Sequence, residues 1–268
     1  PYTIHPAEIA MLAATLDEAS GGRFNLGLSS GAGEFLAWVG IQAAHPRTAV
    51  IETVKQIRRL FDGQRAALDG AFLNWTEEAY LRFKALRRVP VYIGAMSPRM
   101  LGEIGAIADG GLPLLFPPEH YRAIMPYIQE GAQRAGRSVD EIDVAACIWC
   151  SISDDKERAE DALREKIAYY GPALSPMILE ALGLSPAAFH PIAHAVMADN
   201  DLEAAKALVT VPMMHIGIAG TTRDLIARLE GLVEMGVRHI SLGPPVGPDI
   251  GEAIRVIGCD VIPYFRGT

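Results

Sequence analysis

Short apolar runs alternate along the chain with stretches whose apolar residues recur every three or four positions. Residues 7–20 are Ala-rich and read as a helix, and Gly21-Gly22 can supply the left-handed cap that closes it. Phe24–Ser29 reads as a buried strand running into Gly27-Leu28-Ser29-Ser30-Gly31-Ala32-Gly33. Val50, Ile51, Val54, Ile57, Leu60 and Phe61 fall at helical spacing, and Gly63 ends that helix. Val89–Ala95 is a second buried strand, followed by a helix from Pro98 with Leu101, Ile104 and Ile107 inward. Gly111–Phe116 is a third strand, with a helix over 119–135 behind it. Ile142–Ile152 is a fourth strand and Val237–Gly243 a fifth, the latter after a helix over 223–235. Val211–Ile218 carries a weaker strand pattern.

Near-continuous apolar strands separated by amphipathic helices predict an α/β fold of parallel strands with right-handed crossovers. Each strand ends in Gly, Ser or Pro before its helix, so the strand C-termini share one face, where ligands bind in such folds. Between Ser153 and His215 about four helical patterns follow one another without a strong strand. This segment leaves from a strand C-terminus and reads as a helical insertion over the ligand face, about 153–215, within a single domain spanning 1–268.

The chain has 268 residues and 28.9 kDa, within the range of one (β/α)8 barrel. Half of it is hydrophobic, enough for a substantial core. A net charge of −8 with no basic run argues against a nucleic-acid or anionic-membrane partner, and the apolar runs are too short to span a bilayer. Three cysteines are too few for a disulfide framework and suit a reducing cytoplasm. Pro1-Tyr2-Thr3-Ile4-His5-Pro6 is neither a signal peptide nor a usual translation start.

Gly94-Ala95-Met96-Ser97-Pro98 joins a strand to a helix. Ser97 suits the N-cap and Pro98 the first helical position. The small residues let a ligand approach the backbone, where open amides and the helix dipole favour an anion such as a phosphate; an ordinary capped turn has the same look. The Gly27–Gly33 stretch lacks the spacing of a dinucleotide or P-loop motif. It reads either as a bare backbone against which a flat ring could lie or as a turn needing glycine dihedrals. Cys147-Ile148-Trp149-Cys150 on a strand would point its two sulfurs to opposite faces, which suits buried thiols rather than a metal or redox pair. His190 and His194 have ligand spacing on a helix but no third partner, so no metal is expected. Glu34 and His5 lie near predicted strand C-termini, where either could handle a proton.

Together these stretches resemble the luciferase-like monooxygenase superfamily, and within it the coenzyme F420-dependent branch near the methylenetetrahydromethanopterin reductases. The resemblance is carried by Pro1–Pro6 with Thr15–Glu18 and Ser20–Phe24, by Val91–Pro98, by Ile142–Ala146 with Cys150–Ile152, and by Gly220–Val237 with Gly243–Asp249. It implies a (β/α)8 barrel that binds F420, or alternatively FMN, at its C-terminal face. Gly27, Ser29, Ser30 and Gly31 would lie along the ring, and Gly94, Ala95, Met96, Ser97 and Pro98 would hold the phosphate. Such enzymes transfer a hydride between the coenzyme and a small organic substrate. Ile4 replaces the arginine the family commonly has before His-Pro, and Ala32 stands where an acidic residue is frequent, with Glu34 two residues on. Glu34 and His5 are therefore the candidate catalytic side chains. An FMN-dependent monooxygenase and a non-catalytic flavin-binding barrel are the alternatives. The resemblance also implies a homo-oligomer, a dimer or tetramer. It aligns Pro1 with the exit of a third strand, so an N-terminally incomplete barrel is expected.

Overall fold

The computed structural model of the protein describes residues 1–65, 67–174 and 176–267. They form two compact units, Pro1–Pro113 with Ile124–Val144, and Leu114–Ala123 with Ala145–Thr268.

In the first unit, α1 (Pro6–Ala19) starts with a proline, whose missing N–H costs nothing there, and buries Ala10, Ala13, Ala14 and Asp17. Gly21 and Gly22 close it at φ 65° and 81°. Next come β1 (Leu26–Leu28), α2 (Gly33–Trp38) and α3 (Pro46–Phe61). Of the apolar stripe read from the sequence, Val50, Val54, Ile57, Leu60 and Phe61 lie on the buried face of α3, and Ile51 is half-buried. A small antiparallel hairpin, β2 (Leu68–Asp69) and β3 (Asn74–Trp75), precedes β4 (Val91–Ala95), α4 (Pro98–Ile107), β5 (Gly110–Pro113), α5 (Tyr121–Arg134) and β6 (Asp143–Ile152). β1 pairs in parallel with β4, with Gly27 opposite Tyr92. β4 pairs with β5, and β5 with the first residues of β6, again in parallel.

Two features fix this unit. Asp17, 1% exposed, accepts from Arg87 Nη2 at 2.9 Å and from the Phe24 N–H at 3.2 Å. The arginine bond holds its carboxyl below the usual aspartate range. Helices α4 and α5 meet backbone to backbone: a Cβ on Gly131 would lie only 1.9 Å from the Gly102 carbonyl oxygen, and one on Gly105 only 2.0 Å from that of Ile128. Glycine is required at both places for the helices to approach this closely.

The second unit continues β6 into α6 (Lys156–Tyr170), α7 (Pro176–Ala181), α8 (His190–Met197), α9 (Leu202–Ala207), α10 (Val211–Met214), β7 (Ile218–Gly220), α11 (Thr222–Glu234), β8 (His239–Val246), α12 (Ile250–Val256) and α13 (Ile262–Arg266). β7 and β8 each pair with β6 in parallel, and the β6–β8 register slips between Trp149 and Ser151. Ile148, Leu163, Ile167, Phe189, Ile192, Ile216 and Leu232 are fully or almost fully buried. Lys206, 8% exposed, is held by Asp161 at 2.7 Å and Glu203 at 3.0 Å.

The five main strands fall where the sequence places them. The weaker reading over 211–218 is corrected. Pro212 lies in the first turn of α10, Thr210 donates its N–H to Met213 Sδ at 3.5 Å, and strand geometry begins only at Ile218. Where the sequence suggests about four helical patterns over 153–215, the described residues form five α-helices, α6 to α10. No helix is long and apolar enough to cross a membrane among the described residues.

Candidate functional site

The two glycine-rich loops named from the sequence leave the C-terminal ends of adjacent parallel strands, β1 and β4. They touch: a Cβ on Gly94 would stand 3.1 Å from Ser29 Cβ and 3.7 Å from the Leu28 carbonyl oxygen. Gly27 lies within β1, where a Cβ would reach the Leu112 side chain at 3.4 Å. Gly31 has φ 74°, which favours glycine, and its N–H donates to Ser29 Oγ at 3.3 Å. Ser30 donates to the Gly31 carbonyl oxygen at 3.3 Å. This cluster of small residues brings main chain, rather than side chains, to the surface between two strand ends.

Ser97 occupies the N-cap of α4 and Pro98 its first turn, as the sequence predicts. The Ser97 hydroxyl makes no capping bond. The first backbone amide to find a carbonyl is that of Leu101, which donates to Ser97 O at 2.9 Å. The amides of Arg99 and Met100 are therefore open, with the positive end of the helix dipole behind them. Such an end accepts a phosphate without a positive side chain. The residues present fit a phosphate-bearing coenzyme with a flat ring: open amides for the anion, and the Ser29–Gly31 main chain for the ring.

The two candidate proton-handling residues sit at the starts of α1 and α2. His5 caps α1, its Nδ1 accepting the Ala7 N–H at 3.2 Å. A neutral imidazole accepting at Nδ1 carries its hydrogen on Nε2, so the free nitrogen is a donor. The ring stacks on Trp75 of β3 at 5.6 Å between centroids. That indole is brought up by the β2–β3 hairpin, whose turn is clipped by Glu52: its carboxylate accepts the N–H groups of Ala71, Phe72 and Leu73 at 3.0, 3.0 and 2.9 Å. Burial pushes the Glu52 carboxyl up, but these three bonds outweigh it and hold it below the ordinary value. Glu34 lies exposed in the first turn of α2, and its carboxylate takes no hydrogen bond from the described residues.

The cysteines and the histidine pair lie outside these two loops. Cys147 and Cys150 are free thiols three positions apart on β6. Burial pushes the Cys150 thiol up to about 12. Burial also raises Cys147, against a lowering bond with Ser241. Neither forms a thiolate at neutral pH. His194 Nδ1 lies 3.0 Å from Asp199, on the surface. No group of three or more metal-ligating side chains occurs among the described residues.

The sequence reading missed two concave surfaces. In the second unit a cleft of about 980 Å³ runs along α6 and the end of β8, past Lys166, Tyr170, Pro244 and Pro245. In the first unit a cleft of about 340 Å³ opens beside Pro98, lined by Arg47, Arg99, Tyr127, Glu130 and Arg134. Neither leaves a local signature, because each is lined from segments far apart in sequence.

Parallel strand–helix units with an anion-accepting helix start and a bare backbone platform are the equipment of a coenzyme-binding α/β protein. A family model described as luciferase-like monooxygenase matches residues 1–239, and the chain belongs to that family. Its fold class is accordingly the (β/α)8 luciferase-like kind. Among characterised relatives, the 5,10-methylenetetrahydromethanopterin reductase of Methanolobus tindarius is 35% identical over 263 residues, 98% of this chain and 80% of that protein. The enzyme of the same name from Archaeoglobus fulgidus is 33% identical over 270 residues, 99% of this chain and 81% of that protein. The solved structure of the coenzyme F420-dependent tetrahydromethanopterin reductase from Methanopyrus kandleri superposes with a TM-score of 0.90 at 32% identity, covering 99% of this chain and 81% of that one.

Proposed function

We propose that the protein is a coenzyme F420-dependent oxidoreductase that moves a hydride between the deazaflavin and a small organic substrate, with methylenetetrahydromethanopterin as the leading candidate. One observation carries the reading most of the way. Relatives at 33–35% identity over at least 98% of this chain are named 5,10-methylenetetrahydromethanopterin reductase, and the solved structure at 32% identity is a coenzyme F420-dependent tetrahydromethanopterin reductase. The open α4 start and the Ser29–Gly31 platform supply what such a coenzyme needs.

In this reading Gly94, Ala95, Met96, Ser97 and Pro98 hold the phosphate through main-chain amides, and Gly27, Ser29, Ser30 and Gly31 lie along the ring. The bound deazaflavin supplies the hydride-carrying carbon. The protein's own work is to fix the two reacting faces at contact distance and to exclude water. His5 holds a proton at Nε2, where it can donate a hydrogen bond to a polar atom of substrate or ring. Glu34 is the candidate carboxylate for proton exchange with solvent. In this reading the protein acts on small molecules as a homo-oligomer, dimer or tetramer, in the cytoplasm. Residues 153–215 are read as a helical insertion in one barrel domain.

The test is anaerobic mixing of the protein with reduced and oxidised F420 and a panel of substrates, followed by the deazaflavin absorbance. Substrate-dependent change with F420 is the expected result. Turnover only with FMN and oxygen would overturn the coenzyme assignment.

A further inference from the structure

Glu52 lies on α3, outside both loops of the candidate site, and the chemistry derived so far gives it no part. Its half-buried carboxylate is nonetheless the anchor of the β2–β3 turn. Oε1 accepts the Ala71 N–H, and Oε2 accepts those of Phe72 and Leu73. Successive main-chain N–H groups thus converge on this carboxylate as they do on a bound anion. The turn is shaped to admit it: a Cβ on Gly70 would stand 2.6 Å from Glu52 Cδ, so glycine is needed for the carboxylate to lie this close. The hairpin has little else to define it. Its strands are two residues long, and Gly70 donates its N–H to the Leu73 carbonyl oxygen at 2.9 Å. A hairpin of this size is marginal by itself, so its position follows α3 through Glu52.

The hairpin touches the segment leading into α1 at two places. Phe72 meets Tyr2 edge-on at 5.2 Å between centroids, and Trp75 stacks on His5. Phe72 also supplies one of the amides that Glu52 binds, so clip and contact share a residue. Trp75 is buried, and its indole moves only with its strand. Two restraints then set the His5 ring. The bond from the Ala7 N–H fixes Nδ1 at a point. It leaves the ring able to turn about that point, and the indole face removes this freedom by fixing the plane. The plane decides where Nε2–H points, and a hydrogen bond weakens steeply as its angle departs from linear. We propose that Glu52 is a positioning residue for the hydride-transfer reaction, fixing the hairpin whose Trp75 aims the His5 Nε2–H at substrate or ring. The inference rests on the reading of His5 as a proton-bearing group. Glu52 acts through the hairpin, its two oxygens being occupied by the turn.

The experiment compares the whole protein with Glu52→Ala, with Gly70→Ala, which displaces the same carboxylate without removing it, and with Glu52→Gln. One readout is the His5 ring signals in 1H–15N spectra without coenzyme, identified by their loss in His5→Asn, a variant that can still cap α1. The other is anaerobic turnover of F420 with methylenetetrahydromethanopterin. Glu52→Ala and Gly70→Ala should move the His5 signals and lower kcat about tenfold, with the dissociation constant for F420 within about twofold of wild type. Glu52→Gln keeps one carbonyl oxygen for the turn and should fall between. In the His5→Asn background, Glu52→Ala should still lower the urea midpoint but cost the residual kcat nothing further. Unmoved His5 signals in Glu52→Ala, or an equal loss of kcat in the His5→Asn background, would overturn the role of Glu52 and leave the coenzyme reading intact. Wild-type protein that turns over no F420 would overturn both.

Discussion

A Cβ on Gly94 would stand 3.1 Å from the Cβ of Ser29, so the two loops at the ends of β4 and β1 are in contact through the one residue that adds no side chain. The contact joins the proposed phosphate loop to the proposed ring platform. Gly94→Ala must push Ser29 aside by a few tenths of an ångström, and with it the main chain along which the ring would lie. We expect F420 affinity to fall about tenfold, or about 1.4 kcal/mol, with a smaller effect on the thermal midpoint. Unchanged affinity measured by fluorescence titration would remove Gly94 from the site.

Ser97→Asp separates folding from binding. An aspartate can cap the Arg99 and Met100 amides that Ser97 leaves open, adding about 0.5–1 kcal/mol to stability. The same carboxylate occupies the anion position and repels a phosphate, so coenzyme affinity should drop by at least about tenfold. Denaturant titration and ligand titration on one sample report the two opposite signs. A variant that binds F420 as the wild type does would place the phosphate elsewhere.

The Asp17–Arg87 pair predicts an acid response. The native carboxyl titrates below its ordinary value of 3.8, because Arg87 and the Phe24 N–H favour the charged form. Its contribution to stability is therefore full above that ordinary value and is lost as pH falls through the lowered native one. Asp17→Asn should cost about 1–3 kcal/mol at neutral pH, and its stability should depend less on pH below about 4. Urea midpoints measured across that range compare the two. Parallel curves would exclude Asp17 as a source of the acid sensitivity.

Two glycine-to-alanine changes should have opposite signs. Gly105→Ala meets backbone atoms of α5 at 2.0 and 2.5 Å and should destabilise by about 3 kcal/mol or more. Gly231 sits inside α11 with open space around its Cβ position. There alanine should stabilise by about 0.5–1 kcal/mol, through helix propensity alone. Calorimetry that found both neutral would contradict the α4–α5 contact.

What the sequence made legible was whatever local periodicity encodes. The strand at 91–95, the proline start of α4 and the buried stripe of α3 all follow from residues within one or two turns of each other. The same logic failed at 211–218, where apolar residues suit a strand but Thr210 and Pro212 set up a helical turn. The β2–β3 hairpin was not visible either: its strands are two residues long, and it is held by Glu52 from about twenty positions away. Arg47 and Glu103 are 56 residues apart, and only folding makes them neighbours. Of the candidate site, the loops were readable and the surrounding charges were not.

The glycine crossing of α4 on α5 has a thermodynamic consequence. Helices separated by side chains can slide as those side chains change rotamer; helices in direct main-chain contact have no such bearing between them. The first turn of α4 is therefore fixed before any anion arrives, and its amides already point at one place. Little conformational entropy remains to be lost there on binding, so more of each new hydrogen bond is expressed as affinity.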